Sequence, residues 1–170
     1  MKNGLFNDID RVSKPNYYLD IAQTVAIRST CIRKKYGAII VQNDAIVSTG
    51  YNGAPRERAN CINLGYCMRD QLNIPRGERY EMCRSVHAEA NAIINASSAQ
   101  MRGATMYIAG VDAKDGTLVP DACSCMMCKK LIINAGIDRV IIRNTPDEYT
   151  VIDVSDWVKN DDSLTGQFGY

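Results

Sequence analysis

Four side chains in this 170-residue chain have the types and spacing for hydrolytic metal chemistry. His87 and Glu89 stand two apart in "SVHAEANAI", Cys125 and Cys128 stand three apart in "ACSCMMC", and His87 is the only histidine. Residues three apart on a helix share a face. At a helix start, the free backbone amides and the dipole favour thiolate over thiol. Two thiolates and one imidazole give a tetrahedral zinc with one position open, the arrangement of a catalytic site. Zinc in such a site lowers the pKa of water from ~15.7 to about 7. Residues two apart inside a helix point in roughly opposite directions, so His87 and Glu89 are not expected to ligate together. In a first helical turn, His87 binds the metal and Glu89 lies beside the water. There its carboxylate can take the water's proton and deliver it elsewhere.

Each part alone has a plainer reading. A lone histidine is commonly a surface or satisfied core residue, and Cys-x-x-Cys can be a redox pair. Their order, each at a helix start, favours the metal. The elements that must position them are readable around them. "SKPNYYLDIAQTVAIRST" puts Tyr18, Ile21, Ala22, Val25 and Ala26 on one helical stripe, with Ser13 and Pro15 as start signals. Ala38 to Val41 and Ala45 to Val47 read as a hairpin turning at Asn43-Asp44. "HAEANAIINASS" reads as a helix, "ATMYIAG" as a strand, and "VDAKDGTLVPDA" as a loop. "CMMCKKLIINAG" is a helix stopped at Gly136, "DRVIIR" is a strand, and "YTVIDV" is a further strand. Alternating strands and helices imply a parallel or mixed sheet covered by helices. Residues 54 to 84 are weakly periodic and hold Cys61, Cys67, Cys83 and six arginines. Such a long irregular stretch is expected to be functional or pinned.

The net charge is +1, from 20 basic and 19 acidic side chains, which argues against a dedicated nucleic-acid binder. No apolar run reaches bilayer length. "MKNGLFNDIDRVSKP" lacks the apolar core of a signal peptide. The expectation is a cytoplasmic protein of one domain, 1–170, with its core at about 14–154 and a polar tail over 158–170. Seven cysteines in that setting suggest metal ligands or thiols rather than disulfides.

From these residues outward the chain resembles the deoxycytidylate (dCMP) deaminase family, within the zinc-dependent cytidine deaminase-like superfamily. The likeness runs from about Tyr18 to Arg143 through "RSTCIRKKYGAIIV", "STGYNGAP", "CRSVHAEANAI", "GATMYIA" and "CMMCKKLIINAGIDRVII". It implies a three-layer α/β/α sandwich with a mixed five-stranded sheet, and hydrolysis of dCMP to dUMP and ammonia. It implies His87, Cys125 and Cys128 as zinc ligands and Glu89 as proton shuttle. Asn52 and Ala88 are implied at the substrate, and Gly50, Tyr51 and Gly53 of GYNG in nucleotide regulation. Allosteric members imply a hexamer, dCTP and dTTP as effectors, and Mg2+ with the effector nucleotide. Arg28 and Ser29 of "RST" are the first choice for the substrate phosphate, against a plain helix-end role for Arg28.

Two departures from the family pattern stand out. Ser124 replaces the proline expected before the first cysteine and is expected to cap the helix instead. An added loop, Val111 to Ala122, precedes the site as a candidate pocket wall. Cys123 offers another register, which "CKKLIINAGI" excludes by aligning on Cys128. Cys31, Cys61, Cys67 and Cys83 match the four thiolates of a closed structural zinc, as in some family members, against buried free thiols. The alternatives are another deaminase of the same fold, acting on tRNA adenosine, guanine or a riboflavin precursor, and a non-catalytic zinc-stabilised module.

Overall fold

The computed structural model describes residues 11–165. The start of the chain and the last five residues of the polar tail lie outside them. Helix α1 (Lys14–Ala26) begins where Ser13 Oγ accepts the Asn16 amide at 3.3 Å, with Pro15 in its first turn. Strands β1 (Lys34–Gln42) and β2 (Ala45–Tyr51) form the expected hairpin. Asn43 and Asp44 both have positive φ, 50° and 63°, which suits a tight two-residue turn. Strand β3 (Thr105–Asp112) is antiparallel to β1, β4 (Arg139–Arg143) is parallel to β3, and β5 (Tyr149–Asp153) is antiparallel to β4. The sheet is mixed and five-stranded, in the order β2-β1-β3-β4-β5.

Alternation along the strands divides the core between two faces. Ile39, Val41, Tyr107, Ala109 and Ile141 face α1 and pack on Tyr18, Leu19 and Ala22. Ala38, Ile40, Met106, Ile108, Val140 and Ile142 face the other way, toward Ala88, Ala92 and Ile132. Those residues belong to α4 (Ala88–Ile94) and α6 (Met126–Ala135), which make the third layer. Gly37 sets the spacing of α1, because a Cβ there would overlap the Ala22 carbonyl.

Two sequence expectations need correction. "HAEANAIINASS" is not one helix. Helix α4 stops at Ile94, and a new helix, α5 (Ser98–Met101), starts from a Ser97–Gln100 capping box. Nor is "VDAKDGTLVPDA" loop throughout. Val111 and Asp112 extend β3, and Val119 folds back with its amide 2.9 Å from the Gly110 carbonyl. Residues 54–84 hold only short pieces: α2 (Cys61–Leu64), α3 (Met68–Gln71) and a 3-10 turn (Tyr80–Met82). The tail begins as α7 (Val154–Lys159) and runs exposed over the surface, where Lys129 reaches Asp162 at 3.0 Å. No helix among the described residues is long and apolar enough to cross a membrane.

Candidate active site

Two helix starts meet at the site. His87 is the N-cap of α4 and Cys125 the N-cap of α6, both extended, at φ −70°, ψ 156° and φ −68°, ψ 163°. The expected Ser124 cap does not form. Cys125 Sγ takes that place and accepts the Cys128 amide at 3.5 Å, while the Ser124 hydroxyl turns inward and is fully buried. His87 Nδ1 stands 3.3 Å from Cys125 Sγ and 3.5 Å from Cys128 Sγ. Sulfur at ~2.3 Å and nitrogen at ~2.0 Å from a tetrahedral zinc lie about 3.5 Å apart. The three donors therefore already have the spacing that zinc imposes. Among the described residues they are the one group of three or more metal-ligating side chains whose donor atoms all lie within 4.8 Å.

Strand β2 holds α4 in this place. Gly50 lets the helix lie directly on the strand, because a Cβ there would overlap the Ala88 carbonyl and the Ala92 amide. Ser48 Oγ donates to the Ala92 carbonyl. Asn91 Nδ2 donates to the Tyr51 carbonyl at 2.7 Å, and Asn95 Nδ2 to Thr49 at 3.0 Å. Immediately before His87, Val86 exchanges both backbone hydrogen bonds with Gly53, at 2.8 and 3.2 Å. The GYNG segment, the end of β2 and the two residues after it, is thus a seat for the HAE segment.

The electrostatics favour charge transfer within the cluster. Hydrogen bonding from the Cys128 thiol brings Cys125 down to about 4, with further help from His87, against the opposing effect of burial. The same pairing, together with burial, raises Cys128. Burial alone would make His87 less basic. Its contacts with Cys125 and Cys83 and the Glu89 charge outweigh that and raise it to about 10. Cys128 thus keeps its thiol proton and His87 its second ring proton, and a metal would displace both. Glu89 is 7% exposed, and burial raises its pKa, opposed by His87 and by the nearby Ser124 hydroxyl. A carboxylate so placed is easily protonated and can both accept and return a proton. Glu89, His87, Ala88 and Cys125 line one cavity, with Tyr36 and Asn52 beside them.

The sequence of residues 12–144 matches the model of the cytidine and deoxycytidylate deaminase zinc-binding region. The chain belongs to that family. A deoxycytidylate deaminase from a Mycobacterium phage is 36% identical over 138 residues, covering 76% of this chain and 96% of the relative. The deoxycytidylate deaminase of Saccharomyces cerevisiae is 32% identical over 131 residues, 77% of this chain, and the chain spans 38% of that relative's length. Among solved structures, dCMP deaminase from cyanophage S-TIM5 in complex with dCMP and dUMP superposes with a TM-score of 0.50. It is 25% identical, and the match covers 75% of this chain and 79% of that one. The family's metal is zinc, and the donor set at His87, Cys125 and Cys128 fits it.

Within the family frame, the other sequence-selected residues divide. Ala88 and Asn52 line the cavity. Asn52 is 6% exposed and largely committed to backbone: Oδ1 accepts the Tyr36 amide at 2.8 Å, and Nδ2 donates to Lys34 at 2.9 Å. Its second Nδ2 hydrogen is left for a ligand. The structure does not bring Arg28 or Ser29 to the cavity. Arg28 is exposed just past α1. Ser29 is buried and donates to the Asn52 carbonyl at 2.8 Å and to Asn52 Oδ1 at 2.6 Å. Ser29→Ala is expected to cost about 0.5–1.5 kcal/mol, the net worth of a lost hydrogen bond, because Asn52 Oδ1 keeps the Tyr36 amide and its carbonyl keeps the Thr30 amide, with no change in preference between phosphorylated and unphosphorylated substrate. Thermal melts and paired initial rates check both.

The added loop reaches the site at Ala122, and Cys123 follows it into the cavity wall. All seven cysteines are unpaired. Cys61 feels the charges of Cys31, Cys83 and Cys67, yet these four do not form a group within metal-ligand spacing. Cys83 instead lies against His87. Tyr36, Arg69 and Tyr80 were not selected from sequence, yet all three line the cavity. They carry no motif. Only the position of Tyr36 beside "GAIIV" at the start of β1 hinted at a place near the site.

Proposed function

We propose that this protein hydrolyses dCMP to dUMP and ammonia. The observation that carries the reading is the buried Glu89 carboxylate in the same cavity wall as a His-Cys-Cys donor cluster at zinc spacing. The likeness to the phage enzyme, which spans nearly the whole of that relative, supports cytosine deoxynucleotide as substrate. When bound, zinc supplies Lewis acidity that makes water nucleophilic near neutral pH. Glu89 accepts the proton of the attacking water as its oxygen bonds to C4 of cytosine. It passes that proton to N3, then takes the proton of the C4 hydroxyl and gives it to the amine, so that C4=O forms, C4–N breaks and ammonia leaves. His87, Cys125 and Cys128 hold the metal. Asn52, fixed by Ser29 and the Tyr36 and Lys34 backbone, presents its spare amide hydrogen to the substrate.

Further parts of the reading belong with it. Cys31, Cys61, Cys67 and Cys83 bind a second, structural zinc. Their mutual electrostatic influence supports this. The chain assembles as a homo-oligomer, a hexamer, whose GYNG segments, with Gly50, Tyr51 and Gly53, respond to dCTP and dTTP with Mg2+. A reducing, cytoplasmic setting fits seven free thiols.

The test is ammonia release from dCMP, deoxycytidine, dCTP and guanine by the purified protein, with metal analysis alongside. The expected result is release from dCMP and two zinc ions per subunit. One zinc per subunit, with the four thiols of Cys31, Cys61, Cys67 and Cys83 free to react, removes the structural site. Release from guanine alone removes the dCMP reading.

A further inference from the structure

We propose that Arg76 receives the 5′-phosphate of the substrate and sets the preference for nucleotide over nucleoside, an inference that rests on the dCMP reading above. A phosphate beside Glu89 needs a cation free to turn toward it, and guanidinium grips phosphate through two donors. Four cationic residues line the cavity: Arg33, Lys34, Arg69 and Arg76. Arg33 is held by Asp70, with Nη1 2.9 Å from Oδ1. Lys34 lies opposite Asp112 in the β1–β3 pairing but makes no ion pair with it, and it is the competing candidate that the test below includes. Arg69 is 5% exposed; its Nη2 is committed to two backbone carbonyls and its Nε is buried without a hydrogen-bond partner, so the side chain cannot turn freely toward a ligand. Arg76 is exposed and makes no ion pair or hydrogen bond among the described residues.

The loop carrying Arg76 is built to hold it there. Arg69 Nη2 donates to the Pro75 carbonyl at 2.6 Å and to the Glu78 carbonyl at 2.7 Å, gripping the chain on both sides of Arg76. The same guanidinium stacks 4.2 Å from the Tyr80 ring centroid, and the Tyr80 ring meets His87 edge-on at 5.3 Å. One end of the loop is therefore seated on a zinc-ligating residue. Burial and the Tyr80 and Glu89 charges raise the Tyr36 phenol to about 12, and Arg76 opposes that rise. Arg76 and Glu89 thus act on one hydroxyl inside the cavity. Arg69 is the positioning residue and Arg76 the contact.

The test measures kcat and KM on dCMP and on deoxycytidine for the parent, Arg76→Ala, Arg76→Lys and Lys34→Ala. Arg76 is exposed and makes no ion pair or hydrogen bond among the described residues, so its variants are expected to fold. Arg76→Ala is expected to lower the dCMP-to-deoxycytidine ratio of kcat/KM by about tenfold to a hundredfold, chiefly through KM on dCMP, as loss of a charged hydrogen bond implies. Arg76→Lys recovers part of the ratio, and inorganic phosphate competes with dCMP less well in Arg76→Ala than in the parent. A ratio unchanged in Arg76→Ala overturns the proposal, as does a collapse carried by Lys34→Ala instead. A parent inactive on both substrates overturns the dCMP reading itself, and this proposal with it, before any variant is compared.

Discussion

Glu89→Gln is expected to lower turnover of dCMP by about 10³–10⁴-fold while the zinc at His87, Cys125 and Cys128 stays bound. The substitution keeps the shape of the side chain and removes its ability to take and return a proton. Glu89 is not one of the three donors within metal spacing, so zinc content should match the parent. The decisive comparison is rate against metal analysis on the same sample. A Gln variant that keeps most of its rate removes the shuttle role, and one that loses its zinc makes Glu89 a structural partner of the metal. A pH profile of the parent adds a second check. Burial raises the Glu89 pKa and a bound cation beside it opposes that rise, so the profile should show an acid limb set by Glu89. Rate should fall as pH drops through it, because a protonated Glu89 cannot accept the water's proton.

Gly50→Ala is the other large effect. The added Cβ would overlap the Ala88 carbonyl and the Ala92 amide, both backbone atoms of α4 that cannot swing aside. Relief requires the helix to lift from β2, straining the Asn91, Asn95 and Ser48 contacts that hold it. Overpacking of this kind costs about 1–3 kcal/mol. The helix also carries Ala88 and Glu89 and starts from His87, so the catalytic groups move with it. A displacement near 1 Å is enough to cost about 10² in rate. Activity at saturating dCMP, without added nucleotide effector, should therefore fall about a hundredfold, and the melting temperature should drop. A variant that loses only its response to effector nucleotide, with parent activity in its absence, would instead give Gly50 a purely regulatory part.

The sequence was most informative where local chemistry decides structure. Ser13 with Pro15 marked the start of α1, Asn43-Asp44 the hairpin turn, and Gly136 the end of α6, because each acts on backbone within a few residues of itself. The metal donors were legible because two short motifs sit at two helix starts. The capping box at Ser97 was also in the sequence as S-x-x-Q, but the apolar pattern continued across it and hid the break. Within 54–84 the helices are only four residues long, too short for periodicity. What orders part of that stretch is a buried arginine bonded to main-chain carbonyls, and carbonyls leave no mark in a sequence. "RST" holds an arginine near the right segment, yet its side chain ends on the surface past α1, while Arg76 reaches the cavity from a distant loop.

His87 and Cys125 are 38 positions apart in the chain, and an ion gripped by both closes that span into a ring. Such a closure works on the unfolded polypeptide as a covalent staple does, by removing conformations it would otherwise explore. For a ring of this size the chain-entropy model puts the effect at about 4 kcal/mol, in the range of a native disulfide. A chain with no cystine bridges among its seven thiols would thereby gain a crosslink from the same ion that serves the chemistry.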